Sequence, residues 1–285
     1  MSEERTPEDA CHTLRYEILN MRPDEPPREV EVHASADEIR QLVDQGYLVR
    51  ERAFAGEQLE ALRDALDRLE AKERHIVGHG EGLNTKSNFG GLFLRYLMDK
   101  DETFLQLLKF HPFLSIARAV MGPQLQMGMS ARISYPGPEN QETIWHQHLR
   151  YIPKPKPPWL LRPHCLDVLV YLDDVTDANG PLCVVPGSHE RIQEEPPVEY
   201  YGDLPGQLVL RPSAGSAVML HANLWHRARP TTEAGTKRRL LIISYYPTWL
   251  KRGYYGVQPE NGLTKPLEQS GDEETLELLG KSGYM

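Results

Sequence analysis

The sequence is poor in cysteine, and it lacks both a long apolar run and an excess of positive charge. Its 285 residues include only Cys11, Cys165 and Cys183, an odd number without the spacing of a zinc site. We therefore expect free thiols in a reducing cytosol. No 18 consecutive residues are apolar, and the first residues lack the apolar core of a signal peptide. We expect no membrane span.

The charge balance argues against nucleic acid as a partner. The formal net charge is −9, so the chain offers no general positive field for nucleic acid. Hydrophobic residues make up 40% and charged residues 26%, which is ordinary for a soluble globular protein. We expect a cytoplasmic protein that acts on a small molecule, and its oligomeric state stays open.

The chain divides into an arm and one domain. Residues 1–29 are polar, contain prolines and show no apolar period, which predicts a flexible arm. Residues 30–285 are expected to form a single domain that begins with a helical layer at 35–122. Ser35 and Glu38 have the spacing of a capping box at the start of its first helix.

Beyond residue 125 the pattern changes to short strands separated by turns. The expected β core runs from 125 to 248, and a C-terminal extension covers 249–285. The candidate strands are Leu125–Tyr135, Thr143–Tyr151, His164–Leu172, Leu182–Val185, Gln207–Arg211, Ala217–Leu220 and Leu240–Tyr246. This order predicts a mainly β sandwich or barrel with the N-terminal helices packed on one face.

Three histidines have the arrangement of a metal site. His146 and His148 lie two positions apart in a predicted strand, so both imidazoles leave the same face. His226 follows 78 residues later, which suits a later strand that returns to face the first. Iron, cobalt and zinc all accept imidazole nitrogen. A satisfied core histidine is the alternative, but a pair with a distal partner favours a metal.

Two arginines precede the apolar strand that begins at Leu240. Arg238 or Arg239 could simply be the solvated end of that strand. A guanidinium could also grip a carboxylate with two hydrogen bonds, and it stays charged at any working pH. Near a metal it would hold the far end of a chelating dicarboxylate.

Several motifs together resemble the phytanoyl-CoA dioxygenase family. They are W-H-Q-x-L at 145–149, N-G-P-L-x-V-V-P-G-S-H at 179–189, A-G-S at 214–216, the distal histidine at 226 and the arginine before the final strand. The resemblance covers roughly residues 35–248. It implies a double-stranded β-helix, a jelly-roll barrel related to the cupins. It also implies an iron(II)- and 2-oxoglutarate-dependent oxygenase that hydroxylates a C–H bond.

The resemblance also implies roles for individual residues. His146 and His226 stand where the family has its two histidine ligands, and Gln147 where it often has a glutamine that binds the co-substrate. Arg238 matches the arginine that binds the distal carboxylate of 2-oxoglutarate. Arg239 is the alternative, because an insertion after His226 allows a shift of one residue.

One position departs from the family pattern. The family motif is H-x-D, and this chain has His148 where the aspartate ligand would stand. Iron(II) with two histidines, one carboxylate and the 2-oxoglutarate dianion carries a net charge of −1, whereas three neutral histidines give 0. A charge lost at about 2 Å perturbs the metal by many kcal/mol before relaxation. We expect an iron that is harder to oxidise.

Three hypotheses follow from this departure. The first is a 2-oxoglutarate oxygenase with a site of His146, His148 and His226, in which Arg238 and Gln147 hold the co-substrate. The second is a three-histidine enzyme of another class, either a zinc hydrolase or lyase or an iron dioxygenase whose substrate chelates the metal. The third is a binding protein without turnover. A halogenase is disfavoured, because an imidazole fills the position that halide would need.

The segment after the histidine pair bears on the substrate. Lys154, Lys156 and Arg162 lie among prolines that stiffen an extended excursion. They could attract an anionic substrate or belong to a solvated connector. His164 and Asp167 begin the next predicted strand, and they could face either the pocket or the packed helices.

Overall fold

The computed structural model describes residues 11–16, 28–77, 85–86, 91–136, 142–148, 154–251 and 261–281. Its α-helices are α1 (Ala36–Gln45), α2 (Gly56–Val77), α3 (Leu97–Lys100), α4 (Glu102–Leu105), α5 (His111–Met121) and α6 (Glu273–Leu278). The strands are β1 (Cys11–Tyr16), β2 (Arg28–His33), β3 (Tyr47–Arg50), β4 (Thr85–Lys86), β5 (Leu92–Arg95), β6 (Leu125–Ser134), β7 (Leu166–Tyr171), β8 (Leu182–Val184), β9 (Leu208–Leu210), β10 (Ala217–His221), β11 (His226–Ala228) and β12 (Arg238–Pro247). None of the helices in these ranges has the length and apolar character needed to cross a membrane.

Two sheets form the β core. The larger has the strand order β3-β10-β7-β12-β6-β5-β4, and the smaller has the order β11-β8-β9. Every pairing within them is antiparallel, and neighbours in the sheet are often distant in sequence. This arrangement confirms the predicted mainly β jelly-roll barrel with helices on one face.

The two faces of the larger sheet bury different side chains. Met129 and Ile133 of β6 belong to the core that includes Leu66 of α2. Leu169 of β7 and Leu240 of β12 instead belong to a second cluster between the two sheets. Because side chains alternate along a strand, even-numbered residues of β6 and β12 point into the barrel and odd-numbered ones point towards the helices.

Helix α1 begins and ends where the sequence predicts. The side chain of Ser35 accepts a hydrogen bond from the backbone N–H of Glu38 (3.1 Å), and the Glu38 carboxylate accepts one from the N–H of Ser35 (2.8 Å). Gly46 ends the helix in the left-handed region, with φ of 77°. The predicted capping box is therefore confirmed.

Replacement of Ser35 by alanine is expected to lower the free energy of unfolding by about 1 kcal/mol, because the N–H of Glu38 loses its acceptor. Urea denaturation would measure this. Arg40→Ala on the same helix is the control, since Arg40 makes an exposed ion pair with Asp37. We expect its effect to stay within about 0.5 kcal/mol. An equal loss in both variants would contradict the capping role.

Part of the segment predicted to be a flexible arm is a strand. Strand β1 pairs with β2 over six residues. Val30 and Val32 of β2 are buried, and Leu14 of β1 packs against the same core. The polar composition of residues 1–29 hid this strand, because among the described side chains of β1, those of residues 12–15, Leu14 alone is a large apolar one.

Candidate metal centre

The segment that carries His146 and His148 pairs with β11 only irregularly. His146 and His226 exchange two backbone hydrogen bonds, of 3.0 and 3.1 Å. Before His146, the N–H of Thr143 donates to the carbonyl of Ala228. The four residues from 143 to 146 therefore lie opposite the three residues from 226 to 228. Such a bulge interrupts a regular ladder. The predicted strand Thr143–Tyr151 is therefore wrong for residues 143–148, which contain a single bridge, and its residues 149–151 lie outside the described ranges.

The three predicted histidines nevertheless converge. Ligand atoms of His146, His148 and His226 all lie within 4.8 Å of one another. The ring centroids are 4.2 Å apart for His146 and His226, 4.8 Å for His148 and His226, and 5.5 Å for His146 and His148. Imidazoles whose nitrogens lie about 2 Å from a common ion have ring centres about 3 Å from it, which gives centroid distances of about this size.

The orientation of two of the rings leaves one nitrogen of each available for a metal. Nδ1 of His146 lies 2.8 Å from the carbonyl of Ile144, and Nδ1 of His226 lies 2.8 Å from the carbonyl of Leu224. A ring that donates Nδ1–H to a carbonyl presents Nε2 as its basic nitrogen. The backbone thus fixes both tautomers before any metal binds.

The ring of His148 is oriented by a carboxylate. Its Nδ1 contacts Asp167, which also accepts a hydrogen bond from the hydroxyl of Ser244. Asp167 lies on β7 and is 3% exposed. Burial alone would raise the pKa of Asp167, but the charge of His148 and the hydrogen bonds from His148 and Ser244 outweigh it, so the pKa lies below its ordinary value.

The two candidate arginines point in opposite directions. Arg238 is buried inside the barrel, where its guanidinium donates to the carbonyl of Gly180 and to the hydroxyl of Ser134 (3.3 Å). Arg239 points towards the helices and forms ion pairs with Asp67 (2.8 Å) and Asp173 (2.7 Å). Only Arg238 of this pair can face a ligand in the barrel.

Gly180 and Pro181 connect the guanidinium of Arg238 to the chain segment that follows His226. The guanidinium touches Gly180, and the next residue, Pro181, accepts a hydrogen bond from the N–H of Arg229. Arg229 follows His226 by three residues, which corresponds to about 10 Å of strand. Gly180 has φ of 84°, and a Cβ there would approach Arg238 Nη1 to 2.6 Å, so glycine makes room for the guanidinium.

A second buried arginine increases the positive charge in this part of the barrel. Burial, together with the neighbouring charge of Arg238, lowers the pKa of Arg132 to about 10. Burial also lowers the pKa of Arg238. Two guanidinium groups brought together in a dry interior favour an anion between or beside them.

The side chain of Gln147 contacts a carboxylate, that of Glu195, whereas the flanking histidines contact each other. The Gln147 amide donates a 2.7 Å hydrogen bond to Glu195. Glu195 also forms ion pairs with Lys156 (2.6 Å) and Lys154 (3.7 Å). Co-substrate binding by Gln147 would need its carbonyl oxygen or a break in this contact. The carboxylate also compensates part of the charge expected to attract an anionic substrate, whereas Arg162 is exposed.

The other histidines near the site have identifiable backbone partners or deep burial. His189 contacts the carbonyl of Val43, and His221 contacts that of Leu161. Burial lowers the pKa of His164 to about 4. The candidate metal groups among the described residues include none of these three.

Sequence reasoning left Asp167 open and missed Ser244. Asp167 and Ser244 are paired across β7 and β12, and both face the barrel. Their distances from His148 in sequence carry no motif, so only the strand order brings them together. The alternation of Asp167 with the apolar Leu166 and Val168 was the one available signal.

Comparison with known proteins gives a consistent result. The profile of the family described as Phytanoyl-CoA dioxygenase (PhyH) matches residues 42–239. Ectoine dioxygenase of Stutzerimonas stutzeri is 26% identical over 159 residues, which cover 55% of this chain and 51% of that protein. L-proline trans-4-hydroxylase of Streptomyces griseoviridis is 24% identical over 232 residues, or 70% of this chain and 82% of that protein.

A solved structure shares the fold. HygX from Streptomyces hygroscopicus, with nickel and 2-oxoglutarate bound, superposes with a TM-score of 0.60 at 18% identity. The match covers 76% of this chain and 88% of HygX. Against ectoine dioxygenase, the chain spans about half the length of the relative.

Proposed function

This chain belongs to the phytanoyl-CoA dioxygenase family of iron(II)- and 2-oxoglutarate-dependent oxygenases, and we propose on that basis that it hydroxylates a small organic molecule. Its iron would be held by His146, His148 and His226, and Arg238 would bind the distal carboxylate of 2-oxoglutarate. One observation carries the proposal: ligand atoms of the three imidazoles lie within 4.8 Å of one another.

The donor set fits a divalent transition metal. Three neutral imidazoles suit iron(II), and the carbonyls of Ile144 and Leu224 already hold two of the rings in the required tautomer. When bound, iron(II) with 2-oxoglutarate and oxygen supplies the oxidant for C–H hydroxylation. The protein's own contribution is to position the ligands and to exclude water.

Arg238 supports the use of a dicarboxylate co-substrate. Its guanidinium is buried and touches Gly180, and the next residue, Pro181, pairs with Arg229, three residues after His226. A five-carbon diacid that chelates a metal with one end could reach the guanidinium with the other. Arg132 adds a second positive charge, and the apolar cluster that includes Leu169, Tyr171 and Leu240 packs on the same face of the larger sheet.

The substrate is proposed as a small molecule. The two curated relatives carry the names of a dioxygenase of ectoine and a hydroxylase of proline. Lys154 and Lys156 support an anionic substrate only weakly, because Glu195 pairs with both of them. The buried thiols of Cys165 and Cys183, neither of which is in a disulfide, support a reducing, cytoplasmic location.

One observation favours a second candidate, a zinc enzyme. Asp167 contacts the ring of His148, and carboxylate–histidine pairs are common behind zinc. Three histidines and one water also form a catalytic zinc site. Metal analysis of the purified protein distinguishes iron from zinc, and Arg238 has no evident role in the zinc alternative.

Turnover of 2-oxoglutarate tests the proposal. The protein reconstituted with iron(II) should convert 2-oxoglutarate to succinate and consume oxygen, and a panel of cyclic amino acids and related small molecules should increase the rate. The zinc-loaded protein is the control and should form no succinate. An iron-loaded, folded protein that forms no succinate with any compound would contradict the oxygenase function.

A further inference from the structure

A buried carboxylate stands directly behind the histidine that departs from the family motif. Asp167 is 3% exposed and contacts Nδ1 of His148. Ser244 donates to the same carboxylate, and the Cys165 thiol lies 3.6 Å from it. The partners that the structure shows for Asp167 therefore include neither lysine nor arginine.

We propose that Asp167 is a positioning residue that acts on the metal through His148. It fixes the His148 ring with Nε2 towards the metal, and it supplies from the neighbouring strand the negative charge that an aspartate ligand supplies elsewhere in the family. This inference rests on the proposed metal site of His146, His148 and His226.

The Nδ1 atoms of the three imidazoles do not all contact the same kind of acceptor. The exception is His148, the residue that replaces the family's aspartate. His146 and His226, which match the family's ligands, have neutral backbone carbonyls at Nδ1. His148, which replaces the acidic ligand, has a carboxylate there. A carboxylate acceptor makes an imidazole a more basic and more strongly donating ligand than a carbonyl does.

The charge of the assembly supports the same conclusion. Iron(II), three neutral imidazoles and the 2-oxoglutarate dianion sum to 0, and Asp167 brings the total to −1. Two histidines with one directly bound carboxylate give the same −1. The negative charge is thus moved outward by one imidazole ring and remains within a buried environment, where it is weakly screened.

Asp167 is held rigidly enough for this role. Strand β7 lies between β10 and β12, so the residue has a paired strand on each side, opposite Leu220 and Ser244. A buried carboxylate without a cation is costly. A metal-bound imidazole that donates Nδ1–H is a partner that would compensate it.

The direct test is metal binding by full-length Asp167→Asn, which keeps the shape of the side chain and removes its charge. The dissociation constants for iron(II) and cobalt(II) would be measured anaerobically by chelator competition, without 2-oxoglutarate. We expect binding about 10- to 100-fold weaker than in the wild type. The absorption bands of bound cobalt(II) should also shift, because the donor strength of one ligand falls.

The matched control is Asp99→Asn. Asp99 is another buried carboxylate, 8% exposed, and it accepts hydrogen bonds from the backbone N–H and the hydroxyl of Thr264. We expect this variant to bind cobalt(II) as the wild type does. If Asp167→Asn does not fold, Ser244→Ala takes its place, with a smaller weakening in the same direction.

A double variant distinguishes the effect of the Asp167 charge on metal affinity from an effect on folding. His148→Asp alone puts two carboxylates side by side, which disfavours ionisation of both. We expect it to bind cobalt(II) weakly, and His148→Asp combined with Asp167→Asn to recover most of the affinity, because one carboxylate is then left at the site. Absence of recovery would count against charge compensation.

Three results would overturn the inference. One is an Asp167→Asn protein whose affinity and cobalt(II) spectrum match the wild type, which would make Asp167 purely structural. Another is loss of cobalt(II) in Cys165→Ser, since this would place the ion among His148, Cys165 and Asp167, the other candidate group. The third is two bound metal ions per chain. Failure of the wild type to bind metal would instead contradict the proposed function itself.

Discussion

His226→Ala is expected to weaken iron(II) binding by at least about 100-fold and to abolish 2-oxoglutarate turnover. Even loss of a group behind a metal ligand commonly costs 10- to 100-fold in affinity, and loss of the ligand itself should cost more. His226 is 6% exposed, and its ring is already oriented by the carbonyl of Leu224. Anaerobic chelator competition measures the affinity.

The control for this variant is His189→Ala. His189 is also a buried imidazole, and it binds the carbonyl of Val43 in the α1 helix. Its loss should lower thermal stability while metal affinity stays unchanged. Equal metal affinity in His226→Ala and the wild type would remove His226 from the metal site.

Arg238→Gln is expected to weaken 2-oxoglutarate binding by roughly 100- to 1,000-fold while iron(II) affinity is largely retained. Each charge-assisted hydrogen bond contributes about 1.5–3 kcal/mol, and a bidentate pair would lose about 3–4 kcal/mol. The dissociation constant of the anaerobic iron protein for 2-oxoglutarate would be measured by calorimetry.

Arg239→Gln is the matched control for Arg238→Gln. Arg239 has the same chemistry one position later, but it pairs with Asp67 and Asp173 on the helical face of the sheet. Its replacement should lower stability and leave 2-oxoglutarate affinity within about twofold. The opposite pattern, with affinity lost only in Arg239→Gln, would assign the co-substrate to the other face of β12.

The features that sequence could predict are those with a strong local pattern. The capping box of Ser35 and Glu38 depends on residues three apart, and it is confirmed. The convergence of His146 and His148 followed from their two-residue spacing, although their segment is bulged. Side chains alternate along β12, and Leu240 faces the barrel, so Arg238 faces it too and Arg239 does not. Binding of the co-substrate by Arg238 stays a prediction.

The features that sequence could not predict depend on strand order. Asp167 meets His148 because β7 lies beside β12 and under the 142–148 segment, and no spacing in the chain encodes that contact. The pairing of Gln147 with Glu195 joins two irregular segments in the same way. Strand β1 was missed because its pairing with β2 uses backbone groups and few apolar side chains.

The most direct test of the central claim is an anaerobic titration of the iron(II) protein with 2-oxoglutarate, followed by visible absorption. The claim is that His146, His148 and His226 hold one iron whose co-substrate reaches Arg238. It predicts a charge-transfer band that saturates at one 2-oxoglutarate per iron and is lost in Arg238→Gln at the same ligand concentration. An iron-loaded protein that develops no band at saturating 2-oxoglutarate would contradict it.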